Sequence, residues 1–151
     1  MINIETHYLF TMAMKTERQP FGRTSFGERS VVVVTEATIT GPRLTATLLP
    51  GGSDWVTETP DGTILLDCRL VFQTPDGAVI GMTYRGLRHG PPEAVARASR
   101  GEVVDPSLFY HRVAIFFETA APGYAFLNKM LAIGRARREP GGGVYEVFEV
   151  L

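Results

Sequence analysis

The sequence predicts an all-β protein: a single closed antiparallel β-barrel of about nine strands spanning residues 1–151, with one short helix in a long connection. Three observations lead to this prediction. Segments in which apolar and polar residues alternate recur along the whole chain, as expected for strands with one buried face. Short clusters of Gly, Pro, Asp and Asn separate these segments, which is typical of sandwiches and barrels. Consecutive antiparallel strands leave exposed edges unless the sheet closes on itself, and this favours the barrel.

About nine segments carry the strand pattern and leave little room for helix. The strands are predicted at residues 4–15, 29–40, 43–49, 54–57, 63–74, 78–87, 109–119, 130–138 and 144–150. Two turns between them, at 60–62 and 75–77, contain Pro-Asp-Gly, in which glycine adopts the left-handed conformation of a tight hairpin. The strand between these turns is therefore expected to pair on both sides. Further reversals are expected at Gly41-Pro42 and in the glycine-rich loop 139–143.

Three irregular stretches interrupt the strands. Residues 16–28 are predicted to form a long polar connection, and residues 88–106 are the longest break in the strand pattern. Within the second stretch, Pro92 can begin a helix and Gly101 can end it, so one short helix is expected. Connections of this length serve as lids, partner contacts or plain surface loops, and the sequence leaves these alternatives open. Residues 122–128 are expected to form a helical turn whose aromatic side chains plug one end of the barrel.

The composition is that of one ordinary globular domain. Hydrophobic residues make up 44% of the chain and charged residues 21%, which argues against disorder. The formal net charge of -1 gives no reason to expect a nucleic-acid or anionic-membrane partner. The first residues show no signal-peptide pattern and no stretch reaches the length of a membrane span, so a cytoplasmic protein is expected. An even-numbered homo-oligomer, such as a homodimer, is the default expectation for its assembly.

The sequence lacks the motifs of enzymes that depend on a metal, a cofactor or a nucleophile. His7, His89 and His111 are far apart and show no ligand spacing, so no metal site is expected. There is no phosphate loop, dinucleotide fingerprint or Gly-x-Ser-x-Gly elbow, and no cofactor is expected. The single cysteine, Cys68, excludes an internal disulfide and lies on an apolar alternating face, where it is expected to belong to the core.

The most informative local feature is the run Pro-Gly-Gly-Ser-Asp-Trp at residues 50–55, between two predicted strands. Its glycines allow a tight reversal, and Trp55, the only tryptophan, needs to bury much of its indole ring. Asp54 is therefore expected to lie against an apolar wall. Two roles remain open for its carboxylate: it caps the turn through nearby backbone amides, or it is an acid–base group with a raised pKa at the mouth of a cavity.

Two predicted strands also carry polar and aromatic groups on one face. These residues are Asp67 and Arg69 on one strand and Tyr110, Arg112, Phe116 and Glu118 on the other. Either the two faces line the barrel interior as an ionic network, or they form cross-strand salt bridges outside the sheet. Alternation alone does not decide which face points inward. Glu36 follows a β-branched run and is either a general acid or base with a raised pKa or a strand-end residue that reaches solvent.

Many of these motifs occur in an order that resembles one known family. The segments that carry the resemblance are Gly22, Gly27, Arg29, Gly41-Pro42-Arg43-Leu44, residues 50–55, Asp61-Gly62, Asp67-Cys68-Arg69, Asp76-Gly77-Ala78, Tyr110, Phe116, Glu118, Tyr124, Leu127-Asn128 and Gly134. In this order they resemble the domain of unknown function 3237 family over nearly the whole chain, and Gly-Gly-x-Asp-Trp is the most specific part. The resemblance implies a closed antiparallel β-barrel with a central cavity and no generally established activity. The chain departs from the family pattern at Glu36-Ala37, where Gly-Gly is expected, and at Phe126, where tryptophan is common.

Three functions are compatible with these features. The first is a cofactor-independent acid–base enzyme, an isomerase, lyase or cyclase, that acts on a small cyclic or aromatic organic molecule in the barrel cavity. Its candidate catalytic residues are Asp54, Glu36, Glu118 and Tyr110, and its candidate substrate-binding residues are Asp67, Arg69, Arg112, Trp55, Phe116 and Asn128. The second function is a barrel that binds such a molecule without converting it. The third is a structural or interaction protein whose barrel is filled by its own side chains.

Overall fold

A computed structural model describes residues 1–151, which form one antiparallel sheet of nine strands. The strands are β1 (Thr6–Thr24), β2 (Gly27–Thr40), β3 (Thr45–Leu48), β4 (Ser53–Glu58), β5 (Ile64–Gln73), β6 (Val79–His89), β7 (Tyr110–Glu118), β8 (Ala132–Glu139) and β9 (Gly142–Val150). One α-helix, α1 (Pro92–Ser99), and two 3-10 segments, Pro106–Leu108 and Pro122–Lys129, complete the secondary structure. The prediction of an all-β protein with about nine antiparallel strands and one short helix is confirmed.

Every strand of the sheet has a neighbour on each side. The order is β1-β9-β8-β7-β6-β5-β3-β2-β4, and β1 also pairs with β2 while β4 also pairs with β5. The short strands β3 and β4 both lie between β2 and β5, because residues 38–40 of β2 pair with β3 and residues 28–33 pair with β4. The pairings therefore form a ring, and the side chains on its inner face form the core.

The two faces of the sheet differ in burial along each strand. In β5, Leu66, Cys68, Leu70 and Phe72 are buried, whereas the residues between them are exposed. The same alternation in other strands builds a core cluster of 25 buried residues. Cys68 is fully buried in this cluster, as the sequence predicts.

The prediction of a long polar connection at residues 16–28 is wrong. β1 continues to Thr24 and β2 begins at Gly27, so the two strands pair along an extended hairpin. Phe21 of this hairpin packs edge-on against Trp55 on the outer side of β4, with 5.5 Å between the ring centroids. The hairpin extends beyond the core and is held by backbone pairing and by this aromatic contact. Because it has no face buried in the core, its sequence lacks the alternation of apolar and polar residues from which strands are predicted.

The other predicted turns and helical segments are present. α1 occupies the predicted helix, and Gly101 follows it with a φ of 79°. β5 pairs with β4 on one side and with β6 on the other. In the segment Pro122–Lys129, however, the fully buried side chain is Leu127, and Tyr124 and Phe126 only pack against the core. None of the helical segments has the length and apolar character that a membrane-spanning helix requires.

Two hairpin turns share the sequence Thr-Pro-Asp-Gly, at residues 59–62 and 74–77. In each turn the aspartate accepts a hydrogen bond from the threonine hydroxyl, and these bonds lower the pKa of Asp61 and of Asp76. Asp76 also accepts a hydrogen bond of 3.1 Å from the hydroxyl of Tyr124. This second bond ties its turn to the segment Pro122–Lys129.

We expect Asp76→Ala to lower the melting temperature by a few degrees, and Tyr124→Phe to reproduce part of this loss. Asp76→Ala removes the bond from the threonine hydroxyl within the turn and the bond from Tyr124, whereas Tyr124→Phe removes only the second bond. Circular-dichroism melts of the two variants at neutral pH measure the difference. A wild-type melting temperature in Tyr124→Phe would show that the Tyr124 bond contributes nothing to stability.

Candidate active site

A cavity of about 200 Å³ lies inside the ring of strands. Its apolar walls include the buried side chains of Val34, Val56 and Leu66. The polar and charged residues that line it are Thr16, Arg18, Ser30, Asp54, Tyr84, Arg88, His111, Arg138 and Tyr145. Arg18 and Arg138 are exposed, so the cavity opens to solvent on their side. Because an apolar cavity of about 150 Å³ can bind benzene, this one has room for a small organic ring.

Asp54 lies on β4, where it pairs with Val32 of β2 and Cys68 of β5. Its side chain is only 6% exposed and lines the cavity. One carboxyl oxygen, Oδ1, accepts a hydrogen bond of 2.9 Å from the backbone N–H of Asp67 on β5. Burial is the largest influence on this group and raises its pKa from 3.8 to about 6. Asp54 is therefore anchored by a neighbouring strand and not by its own turn.

Two tyrosines extend the hydrogen-bonding around Asp54. The hydroxyl of Tyr84 donates a long hydrogen bond of 3.4 Å to Oδ2 of Asp54, and it also lies 3.4 Å from the hydroxyl of Tyr145. Both tyrosines are buried, and burial raises the pKa of each phenol above its usual range. The phenols are therefore neutral at physiological pH and can donate hydrogen bonds. Burial also raises the pKa of the nearby Cys68 thiol, which keeps it protonated and unreactive.

His111 and three arginines form the basic part of the lining. Burial, followed by the positive charges of Arg88 and Arg138, lowers the pKa of His111 to about 3, so its imidazole is neutral. Burial lowers the pKa of Arg88 to about 10, and its guanidinium therefore still carries its charge at neutral pH. The Nε atom of Arg88, the Nε2 atom of His111 and the Oγ atom of Ser30 are buried without a hydrogen-bond partner. No group of three or more His, Cys, Asp and Glu side chains is placed to hold a metal ion.

The turn between β8 and β9 forms part of the rim. Gly141 has a φ of 80°, in the left-handed region that favours glycine. Gly142 lies so close to β1 that a Cβ atom on it would collide with the carbonyl oxygen of Met14. Both glycines line the cavity, so β9 and β1 approach each other closely beside the opening.

A second cavity, of about 130 Å³, adjoins the first. The two cavities share four lining residues, Arg88, His111, Arg138 and Gly141. The connection from β6 to β7, which contains α1, forms a wall of the second cavity through residues 101–109. This part of the long connection is therefore a cavity wall, whereas the sequence left a lid, a partner contact and a plain surface loop open.

The polar strand faces singled out in the sequence lie on the outer side of the sheet. Asp67, Arg69, Tyr110, Phe116 and Glu118 are exposed, and Arg112 is half-buried beneath the ring of Tyr110. Of the two alternatives for these faces, the one in which they line the interior is wrong, because the opposite faces supply the core: Cys68 on β5, and Val113, Ile115 and Phe117 on β7. The ionic network inside the ring therefore does not form. The faces lie outside the sheet, but none of the seven salt bridges includes Asp67, Arg69, Arg112 or Glu118.

Three further candidates are also remote from the cavity. Glu36 is exposed and forms an ion pair of 2.9 Å with Lys15. Trp55 is 47% exposed, because alternation along β4 points it outward when Asp54 points inward. Asn128 is exposed and binds the backbone of Thr119, whose N–H donates to Oδ1 at 2.7 Å and whose carbonyl oxygen accepts from Nδ2 at 2.9 Å. Of the ten candidates, Asp54 alone lines the cavity.

The cavity residues that the sequence reasoning missed lie on the apolar faces of their strands. Tyr84 and Arg88 continue the inward face of β6 after Ile80 and Met82. His111 begins the inward face of β7, which continues with Val113, Ile115 and Phe117. Polar residues that interrupt an apolar alternating face near the end of a strand were the available indication of this site.

The fold and the cavity together define an all-β protein whose paired strands surround a small polar cavity containing a buried carboxyl group. The family model described as "Protein of unknown function (DUF3237)" matches residues 4–150, and the chain belongs to this family. The resemblance stated from the sequence motifs is thereby confirmed.

Three relatives illustrate the similarity. The UPF0311 protein of Rhodopseudomonas palustris is 33% identical over 149 residues, which cover 98% of this chain and 97% of the relative. The crystal structure of this same Rhodopseudomonas palustris protein, described as a conserved protein of unknown function, has a TM-score of 0.95, with 100% of both chains covered and 32% identity. A protein of Acinetobacter baumannii, described as β-barrel-like, has a TM-score of 0.81 and 30% identity, covering 99% of this chain and 96% of its own. A protein of Penicillium herquei, described as an enzyme, has a TM-score of 0.74 and 22% identity, covering 98% of this chain and 95% of its own. At this identity the similarity shows the fold alone.

Proposed function

We propose that the ring of strands is a closed β-barrel and that its cavity is the active site of a cofactor-independent acid–base enzyme. The enzyme would be an isomerase, lyase or cyclase acting on a small cyclic or aromatic organic molecule. The observation that carries this proposal is the Asp54 carboxyl group, which is buried, lines an open cavity and has a pKa of about 6. A catalytic acid or base is most effective when its pKa lies near the working pH.

Asp54 acts first as the base and then as the acid. At neutral pH most of the carboxyl group is ionised, but it is poorly solvated and so binds a proton more strongly than a surface aspartate. The amide of Asp67 holds Oδ1, which leaves Oδ2 as the proton-transfer atom. The carboxylate takes a proton from a carbon or hydroxyl group of the substrate. The neutral acid returns that proton to a second substrate atom in an isomerase or cyclase, or to the leaving group in a lyase.

The neutral phenols of Tyr84 and Tyr145 stabilise the charge that develops during this transfer. Removal of a proton next to a carbonyl group places negative charge on the carbonyl oxygen. When the hydroxyl of Tyr84 donates its hydrogen bond to Asp54, the hydroxyl of Tyr145 is free to donate a hydrogen bond to the carbonyl oxygen of the substrate. The surrounding apolar walls lower the local dielectric constant, which strengthens this hydrogen bond. A carboxyl group and two phenols are sufficient for such chemistry, so no cofactor is required.

The open cavity favours this proposal over a barrel filled by its own side chains. The closed barrel is supported by the continuous ring of strand pairs and by the similarity to the Acinetobacter baumannii protein described as β-barrel-like. A protein that only binds its ligand remains the competing function, and the test below separates the two. The cytoplasmic location and the even-numbered homo-oligomer stay predictions.

The proposal is tested by proton exchange at carbon, which requires no knowledge of the final product. A panel of cyclic ketones and cyclic β-dicarbonyl compounds is incubated with the protein in D₂O, and deuterium incorporation is followed by mass spectrometry. We expect the wild-type protein to accelerate exchange in the compounds that bind, and Asp54→Asn to reduce the rate by about two to four orders of magnitude.

The matched control is Asp67→Asn. Asp67 is the neighbouring exposed aspartate, and the substitution keeps the backbone N–H that holds Asp54. It should change the exchange rate only slightly, because the charge of Asp67 is a minor contribution to the raised pKa of Asp54. If the compounds bind but exchange equally fast with the wild type and with Asp54→Asn, the protein is a binding protein and the catalytic proposal fails.

A further inference from the structure

We propose that Arg18, Arg88 and Arg138 form an anion-binding site at the mouth of the cavity, and that the ligand is a small organic acid whose oxyanion group binds there. The inference deepens the proposed function by naming the chemical class of the substrate. It rests on that function only in treating the bound molecule as the substrate.

The three arginines come from different strands and converge on one cavity. Arg18 belongs to β1, Arg88 to β6 and Arg138 to β8, and all three line the cavity that contains Asp54. They are close enough that Arg138 and Arg18 both lower the pKa of Arg88 by repulsion. Mutual repulsion of three cations is unfavourable unless an anion lies among them.

No acidic side chain of the protein forms an ion pair with these arginines. The seven salt bridges of the structure join other residues, and none includes Arg18, Arg88 or Arg138. Two carboxylates attract Arg88 only weakly: Glu58 ranks last among the influences on Arg88, and Arg88 ranks last among the influences on Asp54. By contrast, Arg43, Arg97, Arg100, Arg135 and Arg137 each contact a glutamate. The cavity arginines are thus charged groups without an ion-pair partner.

Buried polar atoms that lack partners are found at the same place. Ser30 is 1% exposed and His111 is 6% exposed, and both line this cavity with Oγ and Nε2 unpartnered. The Nε atom of Arg88 is the third such atom in the lining. Buried polar groups in folded proteins are nearly always hydrogen-bonded. A ligand oxyanion at this position accepts from Arg88 and Ser30, and from Nε2 of His111 when that nitrogen carries the proton of the neutral ring.

The walls and the volume of the cavity determine the polarity and the size of the rest of the ligand. The walls beyond the arginines are apolar and include Val32, Val34, Val56 and Ile64. A volume of about 200 Å³ suits one small ring. The carboxyl group of Asp54 repels a second negative group, so the acid group of the ligand lies at the arginines and the neutral ring extends toward Asp54. The ligand is therefore an organic acid with an apolar body, and not a free inorganic anion.

Isothermal titration calorimetry with four probes tests this inference. The probes are benzoate, its neutral counterpart benzamide, phenyl phosphate and inorganic phosphate. We expect benzoate or phenyl phosphate to bind at least about tenfold more tightly than benzamide and than inorganic phosphate, and the affinity to fall as sodium chloride is raised. Comparison of benzoate with phenyl phosphate shows whether a carboxylate or a phosphate is preferred.

Arg88→Met and Arg138→Met keep most of the side-chain length and should each weaken binding of the anionic probes by about tenfold or more. The matched control is Arg85→Met, an exposed arginine on the same strand as Arg88, and it should bind as the wild type does. Equal binding of benzamide and benzoate would overturn the proposal, as would unchanged binding in both cavity variants. Inorganic phosphate binding as tightly as phenyl phosphate would also overturn it, because the apolar body would then contribute nothing.

The fate of the proposed function is separable from this result. Asp54→Asn should retain benzoate binding, because the substitution leaves the arginines in place. Anion binding together with an unchanged exchange rate in Asp54→Asn would refute catalysis and leave the anion site standing. Exchange that depends on Asp54, with no preference for anionic probes, would refute the anion site alone.

Discussion

Asp54→Asn is expected to stabilise the protein at pH 8 by up to about 3 kcal/mol, although it removes the proposed catalytic group. Burial raises the pKa of Asp54 from 3.8 to about 6, so the folded state binds its proton more tightly than the unfolded state does. The resulting stabilisation is fully present below pH 3.8 and is lost as the pH rises through about 6. Asparagine carries no charge at any of these pH values, and its Oδ1 atom can still accept the bond from Asp67.

The measurement is urea unfolding of the wild type and the variant at pH 4, 6 and 8. The stability difference between the two proteins should be below about 1 kcal/mol at pH 4 and should increase toward pH 8. Asp67→Asn, at the exposed neighbouring position, provides the control and should show a much smaller increase, because the charge of Asp67 is a minor contribution to the raised pKa of Asp54. A constant difference across the three pH values would mean that Asp54 is ionised without cost in the folded protein. Catalytic groups that oppose folding stability are a common consequence of active-site design.

Acid should destabilise the protein through His111 by about 3 kcal/mol between pH 7 and pH 4. Burial, assisted by Arg88, Arg138 and Arg112, lowers the pKa of His111 from 6.5 to about 3. At pH values between these two pKa values, His111 is protonated in the unfolded state and neutral in the folded state. Stability is therefore unaffected above pH 6.5 and is lost progressively as the pH falls toward 3.

His111→Gln should be less stable than the wild type at pH 7, because the edge-on contact with Tyr145 at 5.5 Å is lost. The informative quantity is the change in unfolding free energy from pH 7 to pH 4, which should be about 3 kcal/mol more favourable in the variant than in the wild type. In the wild type, Asp54 gains stability over the same pH range and offsets part of the loss caused by His111. Urea unfolding at both pH values gives this change. His89→Gln, which removes an exposed imidazole stacked on Tyr110, should show the wild-type change. The same change in His111→Gln as in the wild type would show that the buried imidazole is not the source of acid sensitivity.

The sequence predicted the strands, turns and helix well because their determinants are local. Pro92 and Gly101 bracket α1, and the two Asp-Gly turns fix the hairpins on either side of β5. Residues 16–28 were mistaken for a connection because that hairpin is stabilised by a contact between Phe21 and Trp55, which are far apart in the sequence.

The site was harder to predict because alternation separates two faces without identifying the inner one. Polar side chains on β7 favour a site on the face of Tyr110 and Glu118, but this face is exposed on the outer side of the sheet. His111 lies on the opposite, apolar face and is buried. Asp54 was identified because a distinctive local motif contains it, whereas Tyr84, Tyr145 and Arg88 reach it only through the closure of the sheet.

The close approach of β9 to β1 at Gly142 limits how the entrance can vary. Any side chain at this position would collide with the carbonyl oxygen of Met14 and push the two strands apart. The entrance therefore has a fixed backbone side at the glycines and an adjustable side formed by the long, exposed side chains of Arg18 and Arg138. Substitutions that shorten Arg18 and Arg138 should therefore admit a larger molecule, whereas Gly142 has to stay glycine to keep the two strands in place.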